Sequence, residues 1–148
     1  MGYLTIKSPD FLDGGKIPSK FTCDDEDINP TLKISGAPEG SKSFVLIMDD
    51  PDAVIGVWDH WVAFNIPIET KEIKEGEGTR GIKGSNSWDE LGYGGPCPPN
   101  GQHRYVFKLY ALDCFLNLPE GSEKHEVEKA MQGHILDQTK ITGLYERE

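Results

Sequence analysis

The sequence predicts an all-β fold, a sandwich or closed barrel decorated by a single clear helix. Three observations predict it. Apolar segments are short and either alternate or carry β-branched residues, 17 glycines and 10 prolines in 148 residues punctuate them, and only one stretch has helical spacing.

Taken in order, Tyr3, Thr5 and Lys7 alternate with Leu4 and Ile6 until Ser8-Pro9 stops the pattern, which reads as a short strand. Ile17-Pro18 and Phe21-Thr22-Cys23 suggest irregular or edge-strand structure, and Asp24-Asp25-Glu26-Asp27 a solvated acidic turn. That cluster lacks the glycine and the distant glutamate of a calcium loop. Leu32 and Ile34 mark another strand. Ser43 to Met48 is the most apolar run, long enough for a buried central strand and too short for a helix. It delivers Asp49, Asp50, Pro51 and Asp52 at its end. Trp58 to Pro67 is a second strand, rich in aromatics. Trp58 and Trp61, three apart, should point to opposite faces.

Residues 69–87, with repeated glycine, read as a long exposed loop. Gly92 to Gly101 then packs four glycines and three prolines into ten residues, a density no helix survives. This stiff loop enters a strand in which Tyr105, Phe107 and Leu109 alternate with Val106, Lys108 and Tyr110. The helix is expected from about Glu123 to Leu136, capped by Ser122 and burying Val127, Ala130, Met131, His134 and Ile135 on one face. Ile141 to Tyr145 should form a final strand.

The length suits one domain over residues 1–148. A net charge of −10 sets the chain against nucleic acid and anionic lipid at long range. No apolar run approaches the roughly 20 residues of a spanning helix, and the start lacks a secretory signal. The expected compartment is therefore the cytoplasm. Cys23, Cys97 and Cys114 are an odd, widely spaced set, expected to be reduced thiols, with Cys97 a small buried hydrophobe.

The chemically loaded residues fall into two groups. Asp50 and Asp52 lie at a strand end with His60 shortly after; His103 begins a strand beside Gly95-Pro96. If those strands are neighbours, two histidines and two aspartates line one pocket. A histidine held by a carboxylate has its charged form favoured and donates well to a phosphate. The aspartates would orient the histidines, or act while protonated, rather than touch the anion. His134 is expected to be a packed, hydrogen-bonded histidine, and His125 to be exposed.

Asp50-Pro51-Asp52-Ala53 with Trp58 and His60, Gly95-Pro96, and His103-Arg104-Tyr105 together resemble the two sequence blocks of the phosphatidylethanolamine-binding protein family, also called Raf-kinase-inhibitor-like. Gly92 to Pro99, Gly133 to Leu136 and Gly143-Leu144-Tyr145 resemble its prokaryotic branch. The resemblance implies a β-sandwich of two antiparallel sheets, Greek-key type, with one or two peripheral helices. It implies a surface pocket for phosphate-like anions built from Asp50, His60, Gly95, His103 and Tyr105. His60 and His103 would donate to the anion, the Gly95 backbone would let it approach, and Tyr105 would offer its hydroxyl. Asp52 would support the loop, Trp58 would wall the pocket, and Pro96 would form the rim. The family block usually continues with proline where this chain has Val54, which removes the residue that favours a cis bond.

The expectation is non-enzymatic binding of a phospholipid head group, phosphorylated metabolite or phospho-residue, with no cofactor, no metal and a homodimeric state as in relatives. The alternative is an interaction protein that inhibits a kinase or protease through surface loops. A hydrolase or metal enzyme using Asp50, Asp52, His60 and His103 ranks third, because no nucleophile elbow or spaced metal motif is present.

Overall fold

In the computed structural model, which describes residues 3–147, the chain forms two β-sheets and one α-helix. The strands are β1 (Thr5–Lys7), β2 (Gly15–Lys16), β3 (Leu32–Ser35), β4 (Ser43–Asp50), β5 (Trp58–Pro67), β6 (Glu72–Ile73), β7 (Ile82–Lys83), β8 (Gln102–Leu112) and β9 (Ile135–Glu146), with α1 at Lys124–Met131. A small sheet has the order β1-β3-β6 and a large one β2-β9-β8-β4-β5-β7. Within the large sheet, β8-β4-β5-β7 is the spatial order of a Greek key. The all-β expectation holds, with one departure: the two-residue edge strand β2 runs parallel to β9.

β4 is buried along its whole length, because both its faces are covered. Phe44, Leu46 and Met48 point between the sheets and join Trp61, Phe107 and Leu109 there. Val45 and Ile47 point the other way, onto Val62, Phe64 and the Val127 and Met131 of α1. Burying each such side chain contributes about 1.5–3 kcal/mol. α1 is tied down a second time by charge. Lys124 reaches Asp59 at 2.8 Å and the buried Asp49 at 3.3 Å. Burial works against the Lys124 charge, but Asp59 and Asp49 outweigh it and hold its pKa above the ordinary value. So Asp49 serves the helix face, and only its neighbours Asp50 and Asp52 turn towards the site.

Three elements depart from expectation. The helix ends at Met131, not Leu136, and Glu123 rather than Ser122 caps it, through a reciprocal box with Glu126. Gly133, at φ 83°, turns the chain so that Ile135 can pair with Leu112. The last strand is correspondingly twelve residues long. His134 is therefore off the helix and exposed, bonded to Asp113 at 2.8 Å. Finally, residues 69–87 are pinned at two points, by β6 on β3 and β7 on β5, with Ile73, Gly84 and Asn86 buried. Peptide bonds of the described residues are trans.

Candidate functional site

Antiparallel pairing of β4 with both β5 and β8 brings the two sequence groups to one end of the large sheet. Asp50 closes β4, Trp58 and His60 open β5, and His103 and Tyr105 open β8. A register shift falls between Met48 and Asp49. Met48 pairs with Trp61 and Asp49 with Asp59, leaving His60 as the bulged residue. The bulge aims His60 into a cavity of about 480 Å³, while Trp61 enters the core and packs edge-on against Tyr93. Trp58 lines the cavity, as expected, so the two tryptophans do part company.

Asp50, His60, Gly95, His103, Tyr105 and Trp58 all line this cavity. His103 Nδ1 donates to Asp50 Oδ2 at 2.7 Å, both side chains being nearly buried. His60 Nδ1 donates to the Gly94 carbonyl at 2.7 Å, and the Gly94 amide returns a bond to the His60 carbonyl at 2.9 Å. A carbonyl only accepts, so the proton of a neutral His60 sits on Nδ1 and its Nε2 is a lone-pair acceptor. Burial, opposed by the Gly94 carbonyl and the Asp50 charge, holds the His60 pKa below its ordinary value. Each histidine thus commits Nδ1 to the protein and makes no hydrogen bond through Nε2 among the described residues.

Between them stands Tyr105, fully buried, its ring 5.2 Å from that of His60 and 6.4 Å from that of His103. Its hydroxyl has no hydrogen-bond partner among the described residues. Burial, then the charges of Asp50 and Asp52, drive its pKa far above the ordinary value, with the Cys97 backbone opposing weakly. The group stays a protonated donor.

Two assignments are corrected. Pro96 is buried and does not line the cavity; Pro98 and Pro99 form that edge instead, because the Pro96 carbonyl turns away to accept the Cys23 amide at 3.1 Å. The Gly95 amide is not free to meet an anion, since it donates to Asp27 Oδ1 at 2.8 Å. Glycine is required there by packing. A Cβ on Gly95 would lie 2.3 Å from the Phe21 carbonyl oxygen and 2.4 Å from Asp27 Oδ1. Gly95→Ala should therefore push the 94–97 segment off the 21–27 segment, costing about 1–3 kcal/mol in denaturant unfolding. Wild-type stability in that variant would show that the segment adapts freely.

The cysteines are the largest surprise. Cys23 and Cys97 form a disulfide, leaving Cys114 as the free thiol, so the expected reduced set is overturned. Both bridged residues are half-buried and line the cavity. Asp27, expected in a solvated turn, has φ 57° and braces the cavity wall.

Asp52 plays the expected supporting part, with a partner the sequence did not single out. Arg104 donates through Nη2 at 2.9 Å, Nε at 3.0 Å and its own amide at 2.9 Å, while the Asp52 amide caps Asp50 Oδ1 at 2.8 Å. These bonds hold the Asp52 pKa at about 2. Trp88 stacks edge-on to both Trp58 and His60 and forms part of the rim. The lining includes the carboxylates of Asp27, Asp50 and Glu90 and no lysine or arginine. A larger open cleft of about 960 Å³ lies at the chain's end, but its best donors, Tyr145 and Arg147, are already bound to Asp24.

Comparison with known proteins agrees with this fold. A family model described as phosphatidylethanolamine-binding protein matches residues 7–146. An UPF0098 protein of Methanothermobacter thermautotrophicus is 47% identical over 150 residues, covering 97% of this chain and 99% of the relative. An UPF0098 protein of Aquifex aeolicus is 48% identical over 153 residues, covering 98% and 90%. The crystal structure of a phosphatidylethanolamine-binding protein homologue from Chlamydia trachomatis superposes with a TM-score of 0.96 at 37% identity, each chain covered in full. That of E. coli YbcL, described as a member of the mammalian PEBP family, gives 0.91 at 28% identity, covering 98% and 99%. By sequence and by fold, this chain belongs to the phosphatidylethanolamine-binding protein family.

Proposed function

We propose that the cavity binds a small phosphate-type anionic group and holds it without chemical turnover. The observation that carries this reading is the Tyr105 hydroxyl, fully buried and unpartnered between two imidazoles whose Nδ1 atoms are already committed. An orphaned buried hydroxyl costs about 1–3 kcal/mol, which an anion oxygen would recover. The lining offers no serine, threonine or free thiol as a nucleophile, which supports binding over turnover.

The absence of lysine and arginine from the lining favours a singly charged anion. Accepting one there requires His60 to take up a proton, so that Nε2 becomes a donor. Because burial lowers the His60 pKa, that uptake costs more as pH rises. Phosphate affinity is thus expected to climb as pH falls from 8 to 6 more steeply than the protonation of phosphate itself accounts for, and that excess slope should vanish in His60→Asn. The same shift has a stability consequence: the unfolded chain binds the proton near pH 6.5 before the folded one does, so the ligand-free protein loses stability on acidification below about pH 6.5. Titration of inorganic phosphate and phosphoethanolamine, followed by NMR of the imidazole protons, tests the site. Unmoved signals of both His60 and His103 would sink the reading.

Five exposed apolar side chains support a second reading. Val54, Ile55, Val57, Trp88 and Leu91 are 40–84% exposed, and all but Val57 line the cavity. This lip, rather than residues 69–87, is the surface on which a regulated partner protein or a second copy would dock. Val54→Ser with Ile55→Ser should abolish such association; unchanged sedimentation and pull-down behaviour would exclude the lip.

A further inference from the structure

At the opposite end of β4 from the cavity, Asp113, Cys114 and His134 bring three different donor types together. A carboxylate oxygen, the thiol sulfur and an imidazole nitrogen all lie within 4.8 Å of one another. Cys114 is the one free cysteine, and His134 and Asp113 are exposed. We propose that these three residues form a binding site for a divalent cation of the zinc class.

The backbone around them is fixed before any cation arrives. The excursion that carries α1 leaves β8 at Leu112 and rejoins the sheet at Ile135, which pairs with Leu112. Its two ends are bonded, the Asp113 amide donating to the His134 carbonyl at 3.0 Å. The Cys114 carbonyl is held by the buried Ser43 hydroxyl at 2.7 Å. Leu116 is gripped through amide and carbonyl by the side chain of Asn65, at 2.7 and 2.9 Å. Gly133 and the bond from the His134 amide to Met131 place the histidine.

Zinc bonds of about 2.0–2.3 Å in a tetrahedron separate the donors by roughly 3.3–3.8 Å. The His134 Nδ1 and Asp113 Oδ1 atoms stand 2.8 Å apart, so a cation would open that pair slightly. A thiolate, an imidazole and a carboxylate suit a borderline cation such as Zn²⁺ and not Ca²⁺ or Mg²⁺, which prefer all-oxygen sets. Three protein ligands leave the fourth position to water or an exogenous ligand. The neighbouring cluster of Glu123, His125 and Glu126 is a poorer candidate, because Glu123 and Glu126 are already engaged in capping α1.

The site lies seven strand residues, roughly 24 Å, from Asp50 and does not depend on the anion pocket. Its test is titration of the full chain, disulfide intact, with Co²⁺ followed by displacement with Zn²⁺. One equivalent of cobalt should produce thiolate-to-metal charge-transfer absorption that zinc removes. Cys114→Ser should abolish the band and His134→Gln should weaken binding at least tenfold, whereas His125→Gln should leave both unchanged. All three side chains are at least partly exposed, so the variants keep the fold, which circular dichroism checks. A wild type without the band, or affinity indifferent to Cys114→Ser and His134→Gln, would overturn the proposal.

Discussion

Opening the Cys23–Cys97 bridge should lower the free energy of unfolding by about 2–4 kcal/mol and the melting temperature by roughly 10 °C. The bridge spans 74 residues, and a loop of that length loses much of its unfolded-state entropy when closed. It also joins the two segments that form one wall of the cavity, alongside the Cys23 amide bond to Pro96 and the Gly95 amide bond to Asp27. Reduction should therefore weaken phosphate binding as well as stability, because Gly94 loses the bracing that lets its carbonyl hold His60. Thiol counting in denaturant should find one free thiol before reduction and three after. Three thiols at the outset, or a melt indifferent to reductant and to Cys23→Ser with Cys97→Ser, would remove the bridge from the account.

That bridge was illegible in the sequence for a physical reason. An odd cysteine count with wide spacing carries no pairing information, and the contact depends on two irregular loops meeting across 74 residues. The contact made by Asp27, an exposed residue of the expected acidic turn, was illegible for the same reason, since its partner Gly95 lies 68 positions away. Strands covered on both faces were legible, because burial writes itself into composition: β4 holds five apolar residues in succession, Phe44 to Met48, and is buried throughout. Two-residue edge strands such as β2, β6 and β7 are too short to show a period. The helix was over-extended because His134 and Ile135 continue its apolar spacing, yet pairing of Ile135 with Leu112 and the turn at Gly133 won that segment for the sheet.

In the site, Asp50, Asp52, His60 and His103 could be named from their places at strand ends and starts, whereas the parts of Gly95 and Tyr105 were implied only by the family resemblance. His103 and Tyr105 share a face because they are two apart in β8, and His60 follows the end of β4 across one turn. Arg104, pointing the other way between them, has no apparent role until Asp52 is found beside it. The function of each named group was harder to foresee, since Gly95 turned out to be spoken for by Asp27 and the imidazoles are oriented by different acceptors, a carboxylate for one and a carbonyl for the other.

Replacing His103 by alanine should abolish measurable phosphate binding, a loss of at least a hundredfold, and cost about 3–5 kcal/mol of stability. The second effect arises because Asp50 would stay buried with the Asp52 amide as its one remaining hydrogen-bond donor among the described residues. The two effects separate in a double-mutant cycle. Asp50→Asn with His103→Ala removes the stranded charge and should recover most of the lost stability, yet phosphate should still not bind, since the ligand-facing imidazole is gone. Asp50→Asn alone should keep some binding, reduced about tenfold, because it leaves the ring in place but loosens the charge-assisted bond that orients it. Chemical denaturation and phosphate titration on the four proteins give the coupling directly. Full phosphate affinity in His103→Ala would assign the anion to another surface. Additive stability losses across the cycle would mean that Asp50 and His103 do not act as a pair, and that Asp50 is held chiefly by its bond to the Asp52 amide.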